Sequence, residues 1–407
     1  MRVAFVHDWL FGMRGGERCL EVLCNLYPNS EIFTLFYQEK GVTDVLNDRP
    51  VFTSSLAKLP GVKKYYRGLL PLFPFAAVGL AKKLAARHQE KPFDMVISVS
   101  HCAAKNLKVP AGVPHLCYCL TPVRYLWDQY DSYFKNRWYE PLVRICAVPL
   151  RRWDVRGAKG VTRYVAISRY VAARIERYYG RESDIVFPPV RTEWIMPRKK
   201  GDITGGFLCV CALVPYKNVD IIVQAFNRMR RPLTIVGTGP EAKKLKALAG
   251  STITFIEKLT DAELARKYRS AEALVFAAEE DFGMVPVEAQ AAGCPVIFLG
   301  RGGALETVVG DTAQSPSSTL SANTMQPPTG IVFFEPTVES LIAAVTRFDD
   351  KKSVLAVESC VAQADKFSEQ HFVESFSAVV NHLLARQTVR NIGPIGARAN
   401  GRGDDGL

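Results

Sequence analysis

The sequence predicts an α/β protein of two doubly wound, Rossmann-like domains, and three observations carry that prediction. The chain has 407 residues, more than one hydrophobic core usually supports, so two domains are the natural expectation. Its second half alternates strand-like and helix-like runs strictly from Phe207 onward, the pattern that builds a parallel sheet with helices on both faces. Its first half opens on the same alternation from Val3. Hydrophobic residues at 48% and charged residues at 23% are the ordinary balance of a soluble globular protein.

In the first half, Val3–His7 is a short buried strand. Gly16–Leu26 reads as a helix, because Cys19, Leu20, Leu23 and Cys24 recur at helical spacing. Met95–Val99, Leu116–Cys119 and Tyr164–Ile167 are further strands, and Ser168 reads as the N-cap of a helix through Tyr178. Phe187–Val190 closes this half, and a linker rich in charge and glycine, Pro197–Gly206, follows. The second half then runs strand Phe207–Cys211, helix Asp220–Arg228, strand Leu233–Val236, helix Glu241–Ala249 and strand Thr252–Ile256. Helix Asp261–Tyr268, strand Ala273–Phe276, helix Pro286–Ala292 and strand Pro295–Phe298 complete it. The expected domains are therefore 1–196 and 197–368. Asp311–Pro328, rich in Ser, Thr and Pro, reads as a flexible surface insertion. The tail 389–407, rich in Gly, Arg and Asp, reads as disordered.

The formal charge is +12, from 52 basic and 40 acidic residues, and it is unevenly spread. Gly61 to His88 carries Lys63, Lys64, Arg67, Lys82, Lys83 and Arg87 without one acidic residue, around the apolar, proline-broken run Leu69–Phe75. Lys135 to Arg163 has a similar excess. Basic residues bracketing an apolar patch suit an anionic membrane face, at about 1 kcal/mol for each nearby Lys or Arg. The plainer reading is solvated charge over ordinary core. A nucleic-acid partner rests on charge alone and is not expected. No apolar run reaches the roughly 18 residues that a spanning helix needs. The start, Met1–His7, lacks the long apolar core of a signal peptide. Of the ten cysteines, Cys117/Cys119 and Cys209/Cys211 are i, i+2 pairs within strand-like runs, where alternate residues share a face. With no metal-site spacing among them, they read as buried reduced thiols of a cytosolic protein.

The most informative segment is Ala278-Glu-Glu-Asp-Phe-Gly-Met-Val-Pro-Val-Glu288. It follows a strand, turns at Gly283 and enters a helix, which leaves backbone N–H groups unpaired at the helix N-terminus. Such a site suits an anion, usually a phosphate. Glu280 and Glu288 cannot bind that phosphate and more plausibly hold hydroxyls; the plain alternative is two solvated acids beside an ordinary turn. A phosphate and a set of hydroxyls together describe a sugar nucleotide.

Glu280-x7-Glu288, followed by Ala289-x-Ala-Ala-Gly-Cys-Pro295 and Gly300-Arg-Gly-Gly-Ala-Leu-Glu306, resembles the retaining glycosyltransferases of family 4. The resemblance covers roughly residues 1–385. It implies the GT-B fold, two Rossmann-like domains facing across a cleft, with the helix Glu369–Ala385 (segment 369–388) returning to pack on the first domain. It implies that Glu280 faces the donor sugar, that Glu288 binds the ribose, and that the backbone of Phe282, Gly283, Met284 and Val285 holds the diphosphate. It also implies retention of configuration and no cofactor or metal.

Other motifs fit the same resemblance. Asp8 with Gly15-Gly16-Glu17 resembles the family's first glycine loop, under the donor phosphates and near the acceptor; a plain tight turn is the alternative. Lys217, in Pro215-Tyr-Lys-Asn218, is placed to neutralise the departing diphosphate. Family members usually carry an Arg before it and a basic residue after it, where this chain has Ala212 and Asn218. Gly237-Thr-Gly-Pro-Glu241 resembles a turn near the nucleotide, and Glu257 would border the base or face solvent. Tyr118-Cys-Leu-Thr-Pro-Val-Arg-Tyr-Leu-Trp-Asp128 resembles a signature of the mannosyltransferase-like branch. A His usually precedes that Thr-Pro; here it is Leu120, which cannot exchange a proton. Arg124 and Asp128 then hold acceptor or donor oxygens, or form a surface pair. His101 matches a His of the same branch, in a catalytic or a local structural role.

The expectation is a cytosolic, membrane-associated glycosyltransferase that moves a hexose from a nucleotide sugar to a lipid-linked or polysaccharide acceptor. The Thr-Pro-x-Arg-Tyr signature favours mannose from GDP-mannose. Glu280, Lys217 and His101 are the catalytic candidates. Gly15, Gly16, Lys217, Gly237, Glu280, the loop Phe282–Val285 and Glu288 are the donor candidates, and Asp8, Arg124 and Asp128 are the acceptor candidates. The alternative is a catalytically silent protein of this fold that binds a nucleotide sugar or partner glycosyltransferases. Leu120, Ala212 and Asn218 favour it; the intact carboxylate loop opposes it.

Overall fold

The computed structural model describes residues 1–128, 130, 134, 140–199, 201–311 and 326–391. The expected insertion falls mostly on 312–325, and the expected disordered tail almost wholly beyond 391. Both lie outside the described residues, as does part of the basic stretch 135–163.

Two all-parallel sheets form the molecule. The first has seven strands: β1 (Val3–Leu10), β2 (Ser30–Tyr37), β3 (Val51–Thr53), β4 (Met95–Ser100), β5 (His115–Cys119), β6 (Arg163–Ala166) and β7 (Ser183–Ile185). Their order is β3-β2-β1-β4-β5-β6-β7. Helices α1 (Gly15–Leu26), α2 (Asp44–Asn47), α3 (Phe73–Glu90), α4 (Glu140–Lys159) and α5 (Arg169–Tyr179) connect them. The second sheet has six strands: β8 (Phe207–Val210), β9 (Leu233–Val236), β10 (Ile253–Ile256), β11 (Leu274–Phe276), β12 (Val296–Leu299) and β13 (Gly330–Phe333), in the order β10-β9-β8-β11-β12-β13. It is crossed by α6 (Val219–Met229), α7 (Ala242–Leu248), α8 (Asp261–Ser270), α9 (Met284–Ala291), α10 (Ala304–Thr307) and α11 (Val338–Lys351). After α12 (Val357–Asp365), the long α13 (Glu369–Asn391) returns to the first sheet. There the rings of Phe372 and Phe376 lie 5.6 and 5.8 Å from that of Tyr118.

Parallel strands are buried on both faces and read as continuous apolar runs. Every residue of β1 is buried, including His7 and Asp8, so that strand runs three residues beyond its sequence expectation. Ser168 caps α5 as expected, its Oγ accepting from the Val171 N–H at 3.0 Å. All ten cysteines are free, and the Sγ atoms of Cys209 and Cys211 approach to 3.9 Å on one face of the β8 end.

One helix bears on the membrane expectation. Tyr66–Glu90 forms a 25-residue helical run that is long and apolar enough to cross a membrane by length and composition. The count of uninterrupted apolar residues misses it because Lys82 and Lys83 break the run. Its Ala77, Leu80 and Leu84 are buried in one core with Phe33 and Val96, while Phe75 and Val78 are 74% and 60% exposed. Pro74 falls in the first turn of α3, where no intrahelical N–H bond is lost.

Candidate active site

In both sheets the strand order turns back at the first strand, between β1 and β4 and between β8 and β11. Loops leaving the carboxyl ends there diverge and open a crevice. The two crevices meet in a cavity of about 420 Å3. The end of the loop after β1 and the first turn of α1 contribute Arg14, Gly15, Gly16 and Glu17, and the loops after β4 and β5 contribute His101, Leu120, Thr121 and Arg124. The second sheet contributes Tyr216 and the run Glu280–Val285. Gly15 and Gly16 permit the approach. A Cβ on Gly15 would stand 3.0 Å from the Met284 Sδ across the cleft, and one on Gly16 would stand 2.6 Å from the Leu120 Cδ1.

On the second-sheet side, Lys217 ends a single 3-10 turn, Pro215–Lys217, and is buried. Its ammonium contacts the Glu280 carboxylate. Burial pushes the Lys217 ammonium down to about 8, whereas the touching carboxylate favours the charged form. Asn218, which occupies a place where a second cation is usual, has a structural task. It sits at φ 53° and its amide donates to the Ala277 carbonyl at 2.8 Å, clipping the lysine turn to the end of β11. Gly283, at φ 93°, is the uncapped N-cap of α9, so the N–H groups of Met284 and Val285 have no side-chain cap. Gly302 and Gly303 hold this loop from behind. The Gly303 N–H donates to the Glu280 carbonyl at 2.7 Å, and a Cβ on Gly303 would lie 2.4 Å from the Phe282 Cα.

Glu288 lies one turn into α9 and accepts from the Tyr268 hydroxyl at 2.8 Å. Burial raises its carboxyl to about 7. It does not line the cavity, and neither does Gly237. A Cβ on Gly237 would lie 1.8 Å from the Cys211 carbonyl oxygen, so that glycine allows two loops to pack. Glu257 is paired on the surface with Lys246 at 3.0 Å.

On the first-sheet side, Asp8, an acceptor candidate, does not line the cavity. Its side chain is wholly buried and accepts from the backbone N–H groups of His101, Cys102, Ala103 and Ala104. It holds the turn after β4. Burial alone would lift this carboxyl, but His101, His7 and those N–H groups keep it below the usual carboxylate range. His101 does reach the cavity, with its Nδ1 3.1 Å from Asp8 and its ring edge-on to Trp9 at 4.4 Å. Burial lowers its imidazole below the ordinary value. Beside it, His7 and Glu17 form a buried pair at 3.8 Å. Burial opposes the charge, yet Glu17 raises the His7 imidazole and His7 lowers the Glu17 carboxyl.

Arg124 and Asp128 do not pair with each other. Asp128 is held by Arg174 and the Tyr178 hydroxyl, while Arg124 contacts Asp281 of the other sheet's loop. Arg174, buried in α5, donates to Asp281 Oδ1 at 2.5 Å and to Thr121 Oγ1 at 3.0 Å. Ser168 Oγ donates to the Asp281 carbonyl at 2.6 Å, and Glu306 accepts from the N–H groups of Arg169 and Tyr170. The second half thus caps a helix of the first. Sequence reasoning missed Asp281, Arg174 and Glu306. Asp281 stood inside the quoted loop and Glu306 ended the quoted glycine run, whereas Arg174 gave no signal. It also left Glu17 and Arg14 unassigned, although Glu17 stood in the quoted glycine loop.

Residues 204–347 match a family described as glycosyl transferases group 1. The GDP-mannose-dependent alpha-(1-6)-phosphatidylinositol monomannoside mannosyltransferase of Mycobacterium tuberculosis is 34% identical over 119 residues, 25% of this chain and 31% of that protein. The D-inositol 3-phosphate glycosyltransferase of Arthrobacter sp. is 32% identical over 184 residues, 38% of this chain and 44% of that protein. The chain therefore spans less than half the length of these curated relatives. Among solved structures, Anabaena HepE in complex with UDP and glucose superposes with a TM-score of 0.67 at 17% identity, over 94% of this chain and 99% of that one. The fold is GT-B, and residues 204–347 are similar to the group 1 glycosyl transferases.

Proposed function

We propose that this protein is a retaining glycosyltransferase that moves a hexose from a nucleotide sugar to a lipid-linked or polysaccharide acceptor. Mannose from GDP-mannose is the favoured donor. The observation that carries the reading is the convergence of Glu280 and the uncapped N-terminus of α9 on one cavity, opposite Gly15-Gly16, with Lys217 buried behind Glu280 and in contact with it. The diphosphate lies against the Met284 and Val285 N–H groups and draws Lys217 away from Glu280. Glu280 then turns to the sugar hydroxyls. Arg14 and Arg124, from the first sheet, supply positive charge that Ala212 and Asn218 do not. No metal is needed for this charge balance. In same-face transfer the leaving phosphate takes the acceptor proton, so Leu120 does not stop the reaction, and His101 offers an imidazole in the same cavity.

A peripheral position on the cytoplasmic membrane face is part of this reading. Phe75 and Val78 are exposed apolar positions on α3, the helix that also carries Lys82 and Lys83, and Leu142 and Ile145 of α4 are 65% and 71% exposed. Calorimetric titration of GDP-mannose, UDP-glucose, GDP and UDP into the wild type and Glu288→Ala tests the donor assignment. Selective binding of one base, lost in the variant, is expected. No binding by any of them overturns the assignment and favours the silent partner protein.

A further inference from the structure

We propose that the first half of the chain carries a second pocket, adjoining the main cavity, that takes the phosphate or diphosphate group of the acceptor. This cavity, of about 510 Å3, lies between the loop after β1 and the turns Val62–Lys64 and Tyr66–Leu72. Four cationic side chains line it: Arg14, Lys63, Lys64 and Arg67. Among the described residues the one acidic residue on its wall is Glu17, whose charge His7 already faces at 3.8 Å. A concave wall with this imbalance concentrates positive potential and recruits an anion.

The pocket is built rather than incidental. The Tyr66 ring packs edge-on against Trp9 at 4.9 Å and lies 5.0 Å from the Phe11 ring, giving a rigid aromatic floor. The Arg67 guanidinium stands 5.4 Å over the Tyr66 ring. Lys63 Nζ donates to Gln38 Oε1 at 2.7 Å, and the Tyr65 hydroxyl donates to the Pro60 carbonyl at 2.7 Å, which pins the turn bearing both lysines.

Two features narrow the ligand. Clustered Arg forks and Lys ammonium groups match a phosphoryl group better than a single carboxylate. The aromatic floor favours an apolar or sugar body attached to that group. The place of the pocket gives it a role. It shares Trp9, Arg14, Glu17 and Arg67 with the main cavity. A phosphate anchored there leaves the body attached to it at the shared wall, facing the donor loop Glu280–Val285. This role rests on the main cavity being the donor site, whereas anion binding itself does not. A nucleic acid is disfavoured because the pocket opens into the cleft and offers no track for a strand.

The test is calorimetric titration of inorganic pyrophosphate, farnesyl diphosphate, a hexose 1-phosphate and farnesol into the full chain, with the donor site filled by whichever nucleoside diphosphate binds. Pyrophosphate is expected to bind, farnesol not. Lys63→Glu/Lys64→Glu is expected to weaken pyrophosphate about tenfold or more. Lys243→Glu/Lys244→Glu, the same charge change placed on α7, is expected to leave it unaltered. Tighter binding of farnesyl diphosphate than of pyrophosphate supports a lipid-borne phosphate, and tighter hexose phosphate supports a sugar-borne one. Equal pyrophosphate affinity in wild type and the Lys63/Lys64 variant, with melting temperatures unchanged, overturns the proposal, as does equal weakening by both double variants. If no nucleotide binds but the lysine-dependent pyrophosphate response persists, the donor reading falls and the anion pocket stands.

Discussion

The Lys217 ammonium, on the turn after β8, is held against the Glu280 carboxylate, on the loop after β11. Each therefore occupies the other's site for ligand, and a bound diphosphate must separate them. Lys217→Ala is expected to weaken nucleoside diphosphate binding by about 10–100-fold, the loss of one charge-assisted contact. Glu280→Gln should do the opposite for the bare diphosphate, since it frees the lysine, while weakening the sugar nucleotide and lowering turnover. Titrations of diphosphate and sugar nucleotide on both variants separate the two effects. Equal losses for both ligands in Glu280→Gln would refute the exchange of partners.

A pH dependence follows from the same lysine. Its ammonium is pushed down to about 8 by burial, so the cation is lost as pH rises through that value unless Glu280 holds it. Diphosphate affinity is expected to fall above about pH 8 in Glu280→Gln and later in the wild type. Calorimetry from pH 6.5 to 9.5 on both proteins checks the order of the two midpoints.

Asp281 fastens the two sheets together. Its carboxylate meets Arg124 and the buried Arg174, and its carbonyl accepts from Ser168. Removing one partner of a buried ion pair leaves an uncompensated charge and typically costs about 3–5 kcal/mol. Asp281→Asn is expected to lower the melting temperature and enlarge the radius of gyration in solution scattering. Arg174→Leu, which removes the buried charge itself, should lower the melting temperature less when combined with Asp281→Asn than additivity predicts.

Asp8 serves the fold. Four N–H donors converge on a carboxylate that no solvent reaches. Asp8→Ala leaves them unpaired in the buried turn after β4, and a loss of about 3–5 kcal/mol is expected. Denaturant unfolding measures it. An Asp8→Ala protein as stable as wild type, with only acceptor affinity changed, would restore the acceptor role assigned from sequence.

The second sheet was largely legible from sequence. Leu233–Val236 is β9 to the residue, and Phe207, Asp261 and Glu369 each start an element as expected, because short apolar runs there are cleanly separated by turn residues. β2 (Ser30–Tyr37) was invisible: seven of its eight residues are buried, so no alternation marks it. α3 was hidden by its own prolines and lysines. In the site, Glu280, Gly283 and His101 line the cavity and Lys217 touches Glu280, because motif spacing encodes local geometry. Arg174 lies 107 residues from Asp281, and only the meeting of two sheets gives it meaning. The burial of Asp8 was not legible for a related reason: a polar residue at a strand end looks alike whether it faces a cleft or caps its neighbour's turn.

Glu288 gives the last prediction. Its carboxyl, buried beside Tyr268, titrates at about 7 instead of its ordinary 4.5. The folded state therefore binds the proton more tightly than the unfolded chain. Below about pH 4.5 both states are protonated and the group contributes nothing to the slope. Between about 4.5 and 7 the unfolded chain ionises first, so stability falls as pH rises, and above 7 the full penalty is present. One edge of Glu288 still meets solvent, so the penalty is about 1–3 kcal/mol, below what a fully buried group would show. Glu288→Gln keeps an acceptor for Tyr268 and removes the titration. The variant is expected to match wild type at pH 4.5 and to exceed it at pH 8 in guanidinium unfolding. Parallel stability curves for the two proteins across this range would mean that Glu288 is solvated and ionises normally.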